Sequence, residues 1–298
     1  MAFRAAHKSS RARAIALALR GAIVCSLALA FLAAGKSETS AIKIGVCGPI
    51  SMIGATKAAG FDYSELSIAE IVALSDADFA KLQDQVKQSG FTIYAAYTFI
   101  PAAIKLTGPD IDKDRQMAYI RHAMDRVAAL DAHIILLGSG AARQVPDGFS
   151  HDVAFAQLVD FLQRIAPEAR ARNIVVTVEP QSPSESNIIN SVAEGVKLVR
   201  AVNDPNIQLV LDFYYLEQTH EDPSAIVAAK DYVRHIHFSN PNGRVYPLRW
   251  DEYDYAPFFA ALRQMGYTGG ISIDAKTSNF ATDAPQTAAF LRDALSRQ

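Results

Sequence analysis

Four residues set the chemistry open to this chain: Glu179, Asp212, His237 and Asp274. Each lies at the end of a short run of strand-forming residues. Ile174-Val-Val-Thr-Val178 precedes Glu179, Gln208-Leu-Val-Leu211 precedes Asp212, Arg234-His-Ile-His-Phe238 contains His237, and Gly270-Ile-Ser-Ile273 precedes Asp274. They are 33, 25 and 37 residues apart, and each interval is long enough for one strand and one helix. Three carboxylates and an imidazole gathered on one rim would repel one another and lose hydration. A divalent cation resolves the conflict, and a mixed oxygen and nitrogen donor set suits Mn2+, Co2+, Mg2+ or Zn2+. Taken singly, each of the four also fits a helix cap or turn former. Their joint position at successive strand ends favours one shared ion.

The run around His237 shows how such residues are aimed. Alternation along a strand sends His235 and His237 to one face and Ile236 and Phe238 to the other. Asn240-Pro-Asn-Gly243 then breaks the strand with turn formers, and Arg244 follows in the loop.

Eight such strands are legible, with helices between them. They fall at 42–46, 60–65, 91–99, 133–137, 174–178, 208–211, from Arg234, and 270–273. Helical spacing marks 76–89, 112–130, 153–165, 188–202, 224–230, 258–265 and 287–295. The alternation predicts an α/β fold, a single (β/α)8 TIM barrel over residues 42–296, whose active site lies at the C-terminal mouth of the strands. An open doubly wound sheet lacks its Gly-x-Gly-x-x-Gly fingerprint after the first strand.

Residues 1–35 differ from the rest. Arg4, Lys8, Arg11, Arg13 and Arg20 stand there with no acid, followed by an apolar run over 21–34 and small residues at Ala33, Ala34 and Gly35. This is the composition of an export signal. It predicts a periplasmic mature protein or, if uncleaved, a membrane anchor, although the run is short of the roughly 20 residues a span needs. Removing it changes the formal charge from −2 to −7. So acidic a domain is unsuited to nucleic acid. Cys25 leaves with the signal, so Cys47 has no internal disulfide partner and reads as a buried strand-end thiol.

The stretch from Glu179-Pro-Gln-Ser-Pro-Ser-Glu185 to Leu-Val-Leu-Asp212-Phe-Tyr-Tyr-Leu216, the His235-Ile-His237 strand and the closing Ile271-Ser-Ile-Asp274 segment resemble the sugar phosphate isomerase/epimerase family with its xylose isomerase-like barrel. That family includes ketose 3-epimerases, hydroxypyruvate isomerases and inosose dehydratases. The resemblance implies that Glu179, Asp212, His237 and Asp274 bind one divalent metal, with Glu179 and Asp274 also moving substrate protons. Two positions depart from the family: Asp274 stands where glutamate is usual, and Tyr215 where a histidine is common.

A cation chelated by a sugar's carbonyl and neighbouring hydroxyl would acidify the adjacent C–H, Glu179 would remove that proton, and the metal would hold the ene-diolate. Returning the proton gives epimerisation or isomerisation. Expelling a β-substituent would make the protein a lyase on a keto-sugar, keto-glycoside or inosose, and losing the proton relay would leave a non-catalytic sugar-binding barrel. Around the site, His235 and Tyr215 are expected as supporting residues. Arg244, Glu65, Trp250 and Lys276 are candidates to bind substrate. For these, a structural histidine, a Glu65 ion pair with a barrel lysine or arginine, aromatic core packing of Trp250 with Tyr253 and Tyr255, and a solvated Lys276 are the alternatives. Gly138-Ser-Gly140 suits either a phosphate cradle or an ordinary turn. The implied partner is a small carbohydrate, and a homo-oligomer is open to such a barrel.

Overall fold

The structure, a computed structural model, describes residues 42–297. The leader assigned to residues 1–35 lies outside them. Eight parallel strands close in chain order into a barrel: β1 (Ile44–Gly48), β2 (Tyr63–Ser67), β3 (Thr92–Tyr97), β4 (Ile134–Leu137), β5 (Val175–Val178), β6 (Ile207–Asp212), β7 (Val233–Phe238) and β8 (Gly270–Ile273). The helices are α1 (Ile53–Ala58), α2 (Ile68–Ala73), α3 (Asp76–Ser89), α4 (Lys113–Ala128), α5 (Gly140–Arg143), α6 (His151–Ala171), α7 (Val192–Val202), α8 (Phe213–Gln218), α9 (Pro223–Ala228), α10 (Ala256–Gln264) and α11 (Phe280–Ser296). Among the described residues no helix is long and apolar enough to cross a membrane.

Alternation along the strands divides the core in two. Outward residues such as Val176, Leu209, Leu211, Ile236, Phe238 and Ile271 are buried against the helices. Ala95, Ile134, Leu136 and Val210 form a smaller apolar cluster of their own, with Tyr94, Tyr97 and Val175 packed against it. The side chains on this inner face become polar toward the C-terminal ends of the strands, and there the site lies.

Several bounds differ from the sequence reading for local reasons. β2 begins at Tyr63 because Phe61 is buried in the outer core and the Asp62 carboxylate accepts from the Ile44 amide at 2.8 Å. α6 runs on to Ala171 through Pro167, and α11 starts seven residues earlier than its apolar spacing suggested. The short α1, α2, α5 and α8 carry too few turns to show a period.

Two glycines make room for one ring at the barrel's centre. A Cβ on Gly45 would lie 2.1 Å from Tyr63 Cε2, and one on Gly270 would lie 2.7 Å from the Tyr63 hydroxyl. Freed from both, Tyr63 reaches across to share a hydrogen bond with Ser272 Oγ at 3.0 Å. Gly45→Ala is therefore expected to destabilise the protein by about 1–3 kcal/mol, the usual cost of overpacking. Urea unfolding would measure it, and an unchanged midpoint would contradict the packing described.

Candidate active site

Register brings the strand-end residues together. Asp212 lies opposite His237 on the neighbouring strand, and His237 in turn lies opposite Ser272, two residues before Asp274. One ligand atom each from Glu179, Asp212 and His237 falls within 4.8 Å of the others, and all three residues are buried. Asp274 completes the rim, its Oδ2 3.5 Å from His237 Nδ1, the same distance that separates Nδ1 from Glu179 Oε1. Asp212 also caps α8, accepting from the Tyr214 amide at 2.9 Å. The cap uses Oδ1, and Oδ2 is turned toward the rim, where Arg244 meets it.

Beneath the rim sits Glu65, with no solvent exposure. His235 Nε2 donates to its Oε2 at 2.9 Å and His237 Nε2 to its Oε1 at 3.1 Å. Burial raises the Glu65 carboxyl, but the imidazoles of His237 and His235 outweigh it and hold the group far below the carboxylate range. This corrects two expectations at once: Glu65 meets neither a substrate hydroxyl nor a lysine or arginine, because both oxygens are taken inside the barrel. It fixes the tautomer of His237 instead, leaving Nδ1 to face the rim. His235 acts on His237 through the same carboxylate and also lies 3.2 Å from Ser272 Oγ. Cys47 Sγ lies 3.5 Å from His237 Nε2, and burial pushes this thiol up, so it stays neutral. It is half-buried at the end of β1 and belongs to the site's floor.

The rim asks for positive charge. His237 Nδ1 is buried without a hydrogen-bond partner between two carboxylates. Burial opposes a charged His237, yet the carboxylates of Glu65 and Asp274 lift it well above the ordinary histidine value. Asp212 is pushed up to about 7 by burial, with Glu179 and Asp274 adding to it and Arg244 working against. An unpartnered nitrogen among three carboxylates is the donor set of a divalent ion, so these residues fit the metal that the sequence implied.

Arg244 meets part of the need. Its Nη2 donates to Asp212 Oδ2 at 2.8 Å and Asp274 Oδ2 at 2.5 Å, its Nη1 to the Tyr215 hydroxyl at 3.2 Å, and the guanidinium stacks on the rings of Tyr214 and Tyr215. The backbone holds it there in the left-handed region, φ 52°, with Lys276 N donating to Arg244 O at 2.8 Å and Tyr246 N to Lys276 O at 3.2 Å.

Two substrate candidates do not reach the site. Trp250 packs against Phe259 and Phe290 in the outer layer, donates from Nε1 to Asp293 Oδ2 at 2.7 Å and lies under Arg297. Tyr253 and Tyr255 join Phe213 in the same aromatic layer, so core packing accounts for the cluster. The Lys276 side chain is exposed, and only its main chain is engaged. The Gly138-Ser-Gly140 turn is not open for a phosphate: a Cβ on Gly138 would meet Glu179 Oε2 at 2.6 Å, and one on Gly140 the Glu185 carbonyl at 2.3 Å. Sequence reasoning missed Gln181, whose Nε2 donates to Glu179 Oε2 at 2.9 Å, and buried Arg143, whose Nη2 donates to the Glu179 carbonyl at 2.6 Å. Gln181 lies two residues past Glu179, on its side of an extended chain, which was the one signal available.

Protons and a cation compete for this rim, giving a pH dependence of known sign. The raised Asp212 contributes stability below its unfolded value near 3.9 and loses it as pH rises through about 7. A divalent ion must displace those protons to bind. Added Mn2+ is expected to raise the melting temperature more at about pH 8 than at about pH 5, and at a hundredfold excess over Kd the ion adds about 2.7 kcal/mol of stability. Melting curves with and without chelator check it, and a pH-independent or absent rise would argue against an ion at the rim.

A closed parallel barrel with acids and a histidine gathered at its C-terminal mouth defines a TIM-barrel protein with a candidate metal-assisted site. The family model described as xylose isomerase-like TIM barrel matches residues 53–294, and the chain belongs to that family, the sugar phosphate isomerase/epimerase fold family. Among curated relatives, the D-psicose 3-epimerase of Agrobacterium fabrum is 28% identical over 226 residues, 72% of this chain and 75% of the relative. The L-ribulose 3-epimerase of a Methylomonas species is 28% identical over 241 residues, 78% and 82% of the two chains. The solved structure of a D-psicose 3-epimerase in the presence of D-fructose superposes with a TM-score of 0.77 at 22% identity, covering 86% of this chain and all of that one; it bears on the fold alone.

Proposed function

We propose that this protein is a divalent-metal-dependent ketose epimerase, inverting a carbon next to the carbonyl by removing and returning its proton. The observation that carries the reading is the pair of carboxylates flanking one point: Glu179 after β5 and Asp274 after β8 each bring an oxygen to 3.5 Å from His237 Nδ1. The 3-epimerase names of the relatives supply the position on the sugar.

Glu179, Asp212 and His237 would hold the ion, with Asp274 beside them. The ion would polarise the substrate carbonyl and acidify the adjacent C–H. Glu179, with Oε2 bonded to Gln181, has Oε1 directed at the rim and takes the proton from one face as general base. Asp274, whose side chain is partly open to solvent, takes up a proton from it and returns that proton to the opposite face, which inverts the centre, and Glu179 then gives its own proton back to solvent. Arg244 offsets the negative charge that develops on the sugar oxygens, while Tyr215 steadies its guanidinium. Asp274 is one methylene shorter than the family's usual glutamate, and the Arg244 bridge between Asp212 and Asp274 draws this rim together. A non-phosphorylated ketose suits the mouth, since the two-glycine turn is filled by Glu179 and Gln181. Residues 1–35 extend the proposal to an exported enzyme, on composition alone.

The test is incubation of the Mn2+-loaded protein with ketohexoses in deuterium oxide, followed by NMR. Deuterium at C3 and accumulation of the C3 epimer are expected. Release of an aglycone from 3-keto-glycosides without such exchange would replace this reading with a lyase.

A further inference from the structure

We propose that Gln181 and Arg143 are positioning residues that fix the direction of the Glu179 carboxylate, a role that rests on Glu179 being the base of the reaction proposed above. Gln181 Oε1 accepts from Arg143 Nη2 at 3.2 Å, so its amide can present only Nε2 to Glu179, and it donates to Oε2 at 2.9 Å. That bond leaves Oε1 as the oxygen directed at His237 Nδ1. Arg143, 1% exposed, also donates from Nη2 to the Glu179 carbonyl at 2.6 Å, from Nη1 to the Leu137 carbonyl at 3.4 Å and from Nε to Ser186 Oγ at 3.3 Å. One guanidinium therefore ties the ends of β4 and β5 to the loop that carries Gln181.

The two-glycine turn now has a use. A Cβ on Gly138 would lie 2.6 Å from Glu179 Oε2 and 2.9 Å from Gln181 Nε2, and one on Gly140 would lie 2.8 Å from Gln181 Oε1. Both missing side chains clear the space this hydrogen-bonded chain occupies. Among the described residues Arg143 meets no carboxylate directly. A buried guanidinium bonded to carbonyls, a hydroxyl and an amide, one bond removed from an acid, is costly as a mere loop staple. It fits a device that polarises the amide toward the acid.

Kinetics, cation binding and unfolding separate positioning from simple support. Gln181→Leu is expected to lower kcat for deuterium exchange roughly 10–100-fold, as loss of an outer partner of a ligand does, with KM within about threefold. Calorimetric titration with Mn2+ alone is expected to show affinity weakened roughly tenfold. Gly138→Ala, which keeps Gln181 but crowds Oε2, should reproduce the kcat loss. Arg143→Met is expected to give the same kcat loss, and should it fail to fold, Gln181→Leu and Gly138→Ala still decide the matter. Wild-type kcat and cation affinity in Gln181→Leu would overturn the proposal, as would a lowered melting temperature with kcat unmoved. A double-mutant cycle of Glu179→Ala and Gln181→Ala, read by urea unfolding of metal-free protein, needs no substrate; roughly tenfold non-additivity in the unfolding equilibrium constant is expected, and additivity overturns the link. A wild type that exchanges no ketose would sink the function proposed above, and the cycle would still decide whether Gln181 holds Glu179.

Discussion

Glu179→Gln is expected to lower deuterium exchange at the ketose carbon by about 10^3-fold, within the range that a positioned general base supplies. The substitution keeps the volume and an oxygen able to face the rim, but removes the group that accepts the proton. Glu179 is buried and accepts from Gln181 at 2.9 Å, so a neutral amide there retains most of the packing. The effect should fall on kcat, with the melting temperature close to wild type. NMR of the substrate in deuterium oxide, with circular dichroism melting as the control, checks both halves. Exchange at the wild-type rate would remove Glu179 from the proposed chemistry and leave Asp274 as the sole candidate for proton transfer.

Glu65→Leu is expected to cost about 3–5 kcal/mol of folding stability, the penalty for removing one partner of a buried ionic cluster. Both oxygens of this unexposed carboxylate receive imidazole N–H groups at 2.9 and 3.1 Å, and a leucine would leave them only the weaker contacts with Ser272 Oγ and Cys47 Sγ. Since native Glu65 titrates far below its unfolded value of about 4.3, its contribution is fully present above that value and is lost as pH falls toward the native one. The gap between wild type and Glu65→Leu should therefore be wide at neutral pH and narrow in acid. Urea unfolding at about pH 7 and about pH 3 would show this, and a gap that widened in acid would mean Glu65 is not held as a carboxylate.

The barrel was legible because short strand-forming runs alternate with helical spacing, and the late strands each end at an acid or a turn former. Parity then sent Glu179, Asp212, His237 and Asp274 to a common rim once the strands were counted. What parity could not supply was depth. Glu65 has the same inward parity as His237, but it sits below the rim, and only pairing across β1 and β2 reveals that both its oxygens meet imidazoles rather than solvent. Trp250 misled for a related reason: an aromatic in the loop after β7 can turn to the mouth or to the helical layer, and composition does not choose between them. Arg143, at the end of the short helix after β4, and Gln181, in the loop after β5, are 38 residues apart, and they meet only because two glycines leave space. Register shifts at Ser64/Glu65 and Leu209/Val210 are likewise invisible in a linear pattern, yet they set which rung each carboxylate occupies.

The way position 276 is built offers a practical opening. Its amide and carbonyl clamp the Arg244 loop, whereas its side chain faces outward. Amide and carbonyl are common to every residue but proline, so the side chain there is interchangeable. A fluorophore grafted at that site would sit beside the entrance without loosening the clamp, and would report ligand arrival in real time.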